Sequence, residues 1–339
     1  MELQNQTSFK EFILVGLSEN MQFCILFFFA LLVMYIFIVF GNVLLIIAII
    51  ISPKLHLPMY FFLCNLAAID LTFSSSSIPK FFIDIFSTRR TISVTGCMVQ
   101  MYSGIYLGSA ESFLLAVMAY DRYAAISFPL YYNIIMSLKI CRNIIIVMWL
   151  GNFFITVIPF LLRPLVFCTA NKLDHFVCEM LPVLQLACGN LASFKLTIVV
   201  VGLFTLVIPL LFIVVSYVLI ISSILKIRST DGRSKAFSTC ASHLTIVSMF
   251  YGTCLGVYMG QLNHFSSNGK YISIVYGVMT PVFNPLIYSL RNKDVKEAFQ
   301  KILVRVRGYQ DTLITAKDIS ILSSLKNETP KSNLSEGLS

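Results

Sequence analysis

Apolar residues in this chain do not alternate with polar ones; they run in long stretches. A helix needs roughly 20 mostly apolar residues to cross a bilayer, and runs of that length recur seven times with short polar breaks. They cover Phe23 to Ile51, Met59 to Phe86, Gly96 to Ile126, Ile140 to Leu162, Leu196 to Ile227, Ala236 to Gly260 and Tyr271 to Leu290. In lipid every backbone amide must be satisfied internally, and the short alternating strands of a membrane barrel are absent. The pattern therefore predicts an all-α membrane protein, a seven-transmembrane helix bundle over residues 23–290 behind a polar segment, 1–22. After Asn292 the pattern changes. Val295, Phe299, Ile302 and Val306 recur at helical spacing among Lys293, Lys296, Lys301 and Arg305, which predicts a short amphipathic eighth helix over 291–307 lying on the inner leaflet. Residues 308–339 are rich in Ser, Thr, Lys and Asn and read as a disordered tail.

Charge orients the bundle. Lys54, Arg122, Lys139, Arg142, Lys226, Arg228, Arg233, Lys235, Arg291, Lys293 and Lys296 fall on one side of the spans, against Arg89, Arg90, Arg163, Lys172, Lys195 and Lys270 on the other. The richer side is expected in the cytoplasm, which puts the amino terminus outside. Across 339 residues, 57% are hydrophobic and 12% charged, and mean hydropathy is +0.83, values that belong to a chain dissolved in lipid. The net charge of +9 then fits contact with an anionic leaflet and a cytoplasmic partner rather than nucleic acid. Glu2, Lys10, Glu11 and Glu19 interrupt the first 22 residues, so the first span is expected to act as the signal anchor. On this topology the sequon Asn5-Gln6-Thr7 lies outside, while those at Asn327 and Asn333 lie inside. Cys97, Cys168, Cys178 and Cys188 face the oxidising side, where four cysteines allow three pairings. Cys24, Cys64, Cys141, Cys240 and Cys254 are expected to be free.

Two acids, Asp70 and Glu111, lie deep inside predicted spans, where a charge costs at least about 2.5 kcal/mol. They are either protonated carboxyls bonded to neighbours such as Ser112 or a functional ion or proton site. Cys240 and His243 share a helical face, as zinc ligands can, but nothing completes a site. The chain has no HExxH, no phosphate-binding glycine loop and no serine elbow, so it is expected not to be an enzyme and to need no cofactor.

Several ordered motifs resemble those of the odorant receptors, a family of rhodopsin-like G-protein-coupled receptors, and in particular the tetrapod-type class II group. They are Gly41-Asn42, Leu57-Pro58-Met59-Tyr60-Phe61-Phe62-Leu63, Met118-Ala119-Tyr120-Asp121-Arg122-Tyr123, Ser216-Tyr217, Lys235-Ala236-Phe237-Ser238-Thr239-Cys240-Ala241-Ser242-His243-Leu244 and Pro281-Val282-Phe283-Asn284-Pro285-Leu286-Ile287-Tyr288. The resemblance runs to about Val304. It implies a Cys97–Cys178 disulfide from the third helix to the second outer loop, and a Cys168–Cys188 disulfide within that loop. It implies a polar core of Asn42, Asp70, Glu111 and Asn284 that stabilises the resting state, with a sodium ion at Asp70 and Glu111. It also implies a switch in which Asp121 holds Arg122 at rest, and Arg122 then turns toward Tyr217 and Tyr288 to meet a stimulatory heterotrimeric G protein that raises cyclic AMP. Ser127 departs from the pattern, since many relatives have cysteine there. The tail is also longer than usual, with Thr312, Thr315, Ser320, Ser323 and Ser324 as candidate phosphorylation sites.

The family's pocket positions map to Gly104, Ile105, Gly108 and Ser109 on the third helix, Val201 and Thr205 on the fifth, Tyr251, Cys254, Leu255 and Tyr258 on the sixth, and Gly277 on the seventh. None is charged, and an amine receptor of this class would carry an acid where Gly104 stands. The resemblance thus implies a small neutral volatile ligand in a mostly apolar pocket, with the receptor in the plasma membrane of olfactory cilia. Two alternatives are a chemoreceptor of the same fold sensing a metabolite outside the nose, and a transporter or channel built around the buried acids. The inverted repeat expected of a transporter is missing.

Overall fold

A computed structural model describes residues 10–18, 20–168, 171–262, 269–291, 294–302 and 304. The sequon at Asn5 and the tail 308–339 lie outside the described residues. The first helix, Met21–Ile51, begins where the Asn20 side chain accepts the Phe23 amide at 3.2 Å. The second, Pro58–Phe86, starts on a proline, whose missing N–H is no loss in a first turn. The third, Val94–Ser127, is capped by Ser93, whose hydroxyl accepts the Gly96 amide at 3.0 Å. The fourth spans Leu138–Leu161 and the fifth Ala192–Leu225. The sixth is Thr230–Leu262, and the seventh runs through Gly269–Ile274, Val275–Met279 and Thr280–Arg291.

The first, second, fourth and fifth helices are long and apolar enough to cross a membrane. Judged the same way, the third, sixth and seventh differ from the sequence expectation. With 34 and 33 residues, the third and sixth have the length but dilute their apolar residues, the third with Glu111, Asp121 and Arg122 and the sixth with serines, threonines and His243. The seventh is divided into shorter pieces.

The third helix is the hub of the bundle, touching the second, fourth, fifth and sixth, while the first leans on the second and seventh. Leu63, Leu66, Leu114, Leu115, Ile220 and Phe250 fill the shared core. In residues 294–302, which are helical, Val295 and Ala298 turn into the same core. Two wide π-turns break the α-helical ladder, at Leu203–Val207 and Val275–Met279. Each is centred on the residue four before a proline, Pro209 or Pro281. A proline offers no N–H to the carbonyl four residues back and its ring crowds that carbonyl, so the turn widens.

One end of the bundle carries a cap. Strand β1 (Glu11–Leu14) pairs antiparallel with β2 (Thr91–Ser93), while β3 (Val166–Phe167) pairs antiparallel with β5 (Ala187–Cys188). Strand β4 (Lys172–Leu173) lies parallel to β1 on its other edge. Phe12, fully buried, meets Phe167 edge-on at 5.0 Å. Disulfides Cys97–Cys178 and Cys168–Cys188 fasten the cap, with Cα atoms 5.3 and 6.0 Å apart. Gln100 adds a polar strut, accepting the Cys178 amide at 3.0 Å and donating to the Ser76 carbonyl at 3.1 Å. Beneath the cap His175 stacks on Phe176 at 4.6 Å, with Nδ1 3.0 Å from the Val177 carbonyl oxygen. Burial holds its imidazole below the ordinary histidine range, against the opposing pull of Glu179, whose Oε2 lies 3.8 Å from Nε2; Asp174 acts with Glu179 and Lys270 against it.

Two outcomes follow for the cap. Replacing Phe12 by alanine removes a fully buried ring, a change that costs about 3–5 kcal/mol in a packed core; Phe12→Ala should lower the Tm of the purified protein, whereas Phe29→Ala on the outer face of the first helix should not. Because the folded His175 takes a proton less readily than the unfolded one, cap stability is complete above the ordinary histidine pKa of about 6.5 and falls as pH drops through it. The hydrogen-exchange protection of residues 171–178, taken relative to the intrinsic exchange rate at each pH, should fall between about pH 7 and 5, and His175→Asn should flatten that dependence.

Candidate ligand cavity and switch residues

Under the cap lies a cavity of about 180 Å³ enclosed by the second, third, fifth, sixth and seventh helices. Of the positions expected from sequence, Gly104, Ile105, Gly108, Ser109, Thr205 and Cys254 line it. Both π-turns serve it, one presenting Thr205 and Leu206 and the other Tyr276. Gly104 leaves open space where a Cβ would stand, whereas a Cβ on Gly108 would come within 2.6 Å of the Tyr276 hydroxyl. Ser109 donates to Asn152 Oδ1 at 2.7 Å and lies at similar distance from the Ile105 carbonyl, so its hydroxyl is engaged by protein.

Four expected positions fall elsewhere. Leu255 is 62% exposed on the outer face of the sixth helix, one residue and about 100° around from Cys254. Val201 packs with Phe160, Leu184 and Phe194. Tyr251 bonds Ser112 through its hydroxyl at 2.7 Å, below the cavity. Gly277 lines a smaller neighbouring cavity of about 60 Å³ between the first, second and seventh helices. The Tyr258 side chain lies outside the described residues. Reasoning from sequence missed Phe73, Met101, Ile198 and Phe250 on the walls, and Glu179, Met180 and Leu181 on the roof. The proline spacing was the available signal for Leu206 and Tyr276; the roof residues sit beside Cys178, where the disulfide carries them over the helices.

Nearer the middle of the bundle, Asn284 offers one amide nitrogen to two acids. Its Nδ2 is 3.0 Å from both Asp70 carboxyl oxygens and 3.4 Å from Glu111 Oε1. Asn42 stands apart from that cluster: it donates to the Ile38 and Pro281 carbonyls at 3.0 and 3.2 Å and so pins the first helix to the seventh. Glu111 does not engage Ser112, whose hydroxyl goes to Tyr251.

At the far end, Asp121 accepts the Tyr132 hydroxyl at 2.8 Å. No ion pair between Asp121 and Arg122 forms within 4.0 Å among the described residues. Burial and the Asp121 carboxylate push the Tyr132 phenol above its usual range, which keeps it a donor. Tyr123 packs edge-on to Phe128 at 5.7 Å. Tyr217 bonds His243 Nδ1 at 2.8 Å with the rings stacked, and the Tyr288 hydroxyl is buried without a hydrogen-bond partner among the described residues. Ser127, at the position where many relatives have cysteine, bonds Ser223 at 2.8 Å and ties the third helix to the fifth. Cys240 and His243 gather no further ligands, and no cluster of three His, Cys, Asp or Glu side chains occurs among the described residues.

Comparison with known proteins places these features in a family. The olfactory receptor family model matches residues 31–306. Human olfactory receptor 13C9 is 46% identical over 314 residues, covering 89% of this chain and 98% of that relative. Mouse olfactory receptor 1M1 is 42% identical over 307 residues, covering 90% and 98%. Human olfactory receptor 13H1 is 40% identical over 306 residues, covering 90% and 99%. The chain that carries this capped cavity and this three-helix polar cluster is a membrane protein, and it belongs to the olfactory receptor family.

Proposed function

We propose that this chain is an odorant receptor of the plasma membrane, with all seven helices crossing it, the cap outside and the Arg122 end in the cytoplasm. A small, largely apolar volatile molecule binds in the cavity beneath the cap and drives a stimulatory, olfactory-type heterotrimeric G protein, raising cyclic AMP; the site of action is the ciliary membrane of olfactory neurons. The family's members are receptors rather than enzymes. The observation that carries this reading is the third helix. Gly104, Ile105, Gly108 and Ser109 line the cavity, and Asp121, Arg122 and Tyr123 stand at its other end. At 1.5 Å per residue, roughly 20 Å separates Ser109 from Arg122. One rigid element thus touches both sites, and ligand and G protein couple if each favours the same arrangement of the helices around it.

In this arrangement Tyr217 is held by His243 and Asp121 by Tyr132. Activation exchanges these bonds: the sixth helix moves outward with His243, Tyr217 and Tyr288 become partners for Arg122, and Arg122 meets the G protein. The polar cluster biases the resting state. Asp70 and Glu111 supply only oxygen ligands, and the buried Ser74 hydroxyl and Asn284 carbonyl oxygen lack hydrogen-bond partners among the described residues. That donor set suits a hard monovalent cation such as sodium, whose single charge would offset part of the negative charge of the two acids that share one amide.

Cells expressing the chain with a stimulatory G protein should show a cyclic AMP rise on exposure to volatiles, and Arg122→Ala should abolish it at equal surface expression. Signalling by Arg122→Ala equal to that of the parent would refute the switch, and silence of a surface-expressed parent with every G protein class would refute the receptor assignment. Sodium should raise the Tm of the purified receptor relative to potassium, and Glu111→Gln should remove most of that difference.

A further inference from the structure

Glu179 changes the chemistry of the cavity. It follows Cys178 on the disulfide-tied roof and lines both the main cavity and the smaller one beside it, with Phe73 and Tyr276 on their shared wall. Every position expected from the sequence was uncharged; the acid arrives on a loop instead of a helix. Its Oε2 accepts the Ser273 hydroxyl at 2.8 Å, one bond on a group with about four acceptor sites.

Among the described residues no lysine or arginine forms an ion pair with it, and its basic neighbour is His175. Lys270 pairs with Asp174. Arg90 donates to the carbonyls of Val15 and Asp84, and Arg163 donates to the Thr197 hydroxyl. His175 approaches to 3.8 Å, too far for a hydrogen bond, and its Nε2 has no partner among the described residues. The Val177 amide donates to His175 Nδ1 at 3.2 Å, so the neutral ring carries its proton on Nε2, which faces Glu179. The roof therefore offers the Glu179 carboxylate as an acceptor above walls of Phe, Met, Ile and Leu. An acceptor-only ligand leaves that carboxylate with the Ser273 hydroxyl and no further donor, and an anionic one is repelled.

We propose that Glu179 is the polar anchor of the ligand cavity, and that it selects molecules with a hydrogen-bond-donating head, a primary ammonium or a hydroxyl, on a short apolar body. Aldehydes, ketones and esters bind more weakly, and carboxylates are excluded. The inference rests on the cavity being the odorant site and adds the chemical class that the site prefers. It also explains how a receptor with glycine at position 104 can still hold a cation: the acid reaches the ligand from the roof. The body of the ligand then lies against Gly104, where the third helix leaves open space.

The test is binding to the purified full-length receptor in lipid nanodiscs, read as thermal stabilisation against concentration for hexylamine, hexanol, hexanal and hexanoate. Hexylamine and hexanol should bind at least roughly tenfold more tightly than hexanal, the scale expected for one charge-assisted hydrogen bond, and hexanoate should not bind. In Glu179→Gln the advantage of hexylamine should shrink by roughly tenfold while hexanal binding holds. In Ser273→Ala, which keeps the carboxylate and frees one lone pair, hexylamine should bind as well or better. Hexanal or hexanoate binding as tightly as hexylamine would overturn the proposal, as would an unchanged order in Glu179→Gln or no binding by any of the four. If Glu179→Gln fails to fold, the order of the four ligands on the parent receptor and on Ser273→Ala still decides. Cyclic AMP measurements separate the two claims: intact agonist responses without donor preference sink the anchor alone, and donor preference without G-protein signalling sinks the receptor reading alone.

Discussion

Polar groups in this fold have nowhere to go but inward. The outer faces of the helices carry Leu26, Phe29, Ile36, Phe37, Phe40, Val214, Val215 and Val218, all exposed. Asn42, Asp70, Ser74, Glu111, Asn284 and Thr280 are buried. This reverses the habit of a soluble protein and follows from lipid as the solvent, which rewards apolar surface and offers polar atoms no partner. Once gathered inside, those groups must satisfy each other. Asn284 bonds two acids from two other helices, and Asn42 bonds the Pro281 carbonyl, which Pro285 four residues on leaves without an amide partner on the seventh helix. The bundle is held in register by these few directed bonds, while apolar packing tolerates sliding.

Prolines then decide where the bundle opens. Pro209 and Pro281 lie on different helices, yet each widens the turn before it, and each widened turn delivers side chains to the same cavity. A regular helix presents its residues at about 100° intervals. A π-turn adds a residue and rotates everything beyond it, so Thr205, Leu206 and Tyr276 reach an interior that an unbroken helix would have filled with its neighbours. Glycines on the third helix complete the space from the opposite side, with nothing within 4 Å of a Cβ built on Gly104.

Much of this was legible in the order of residues. Long apolar runs marked the helices to within a few positions, because a membrane span is set by length and needs no tertiary information. The third-helix pocket residues could be transferred by motif because that helix is regular through them. Leu255 could not. A small error in the rotation of the sixth helix exchanges the inner and outer faces, and Cys254 and Leu255 are equally apolar. The cap was hidden for another reason: β1 is four residues long, too short to display a period, and lies among Lys10, Glu11 and other polar positions. Glu179 was hidden because its place depends on a disulfide and a loop path, neither of which has a periodic signature. The Tyr132 partner of Asp121 comes from a short helix of four residues that no apolar pattern announces.

The cap also sets an order of events during biosynthesis. Strand β1 is made before every helix, yet β2 precedes the third helix and β4 follows the fourth. While the early helices enter the bilayer, Phe12 and Leu14 have no partner and their strand stays open to chaperones and to pairing with other chains. Its parallel bond to β4 can form only after the fourth helix has inserted with the correct sense and the loop behind it has been delivered to the same compartment. Closure of the sheet therefore requires that the segments before the first helix, before the third and after the fourth all meet at one end of the bundle.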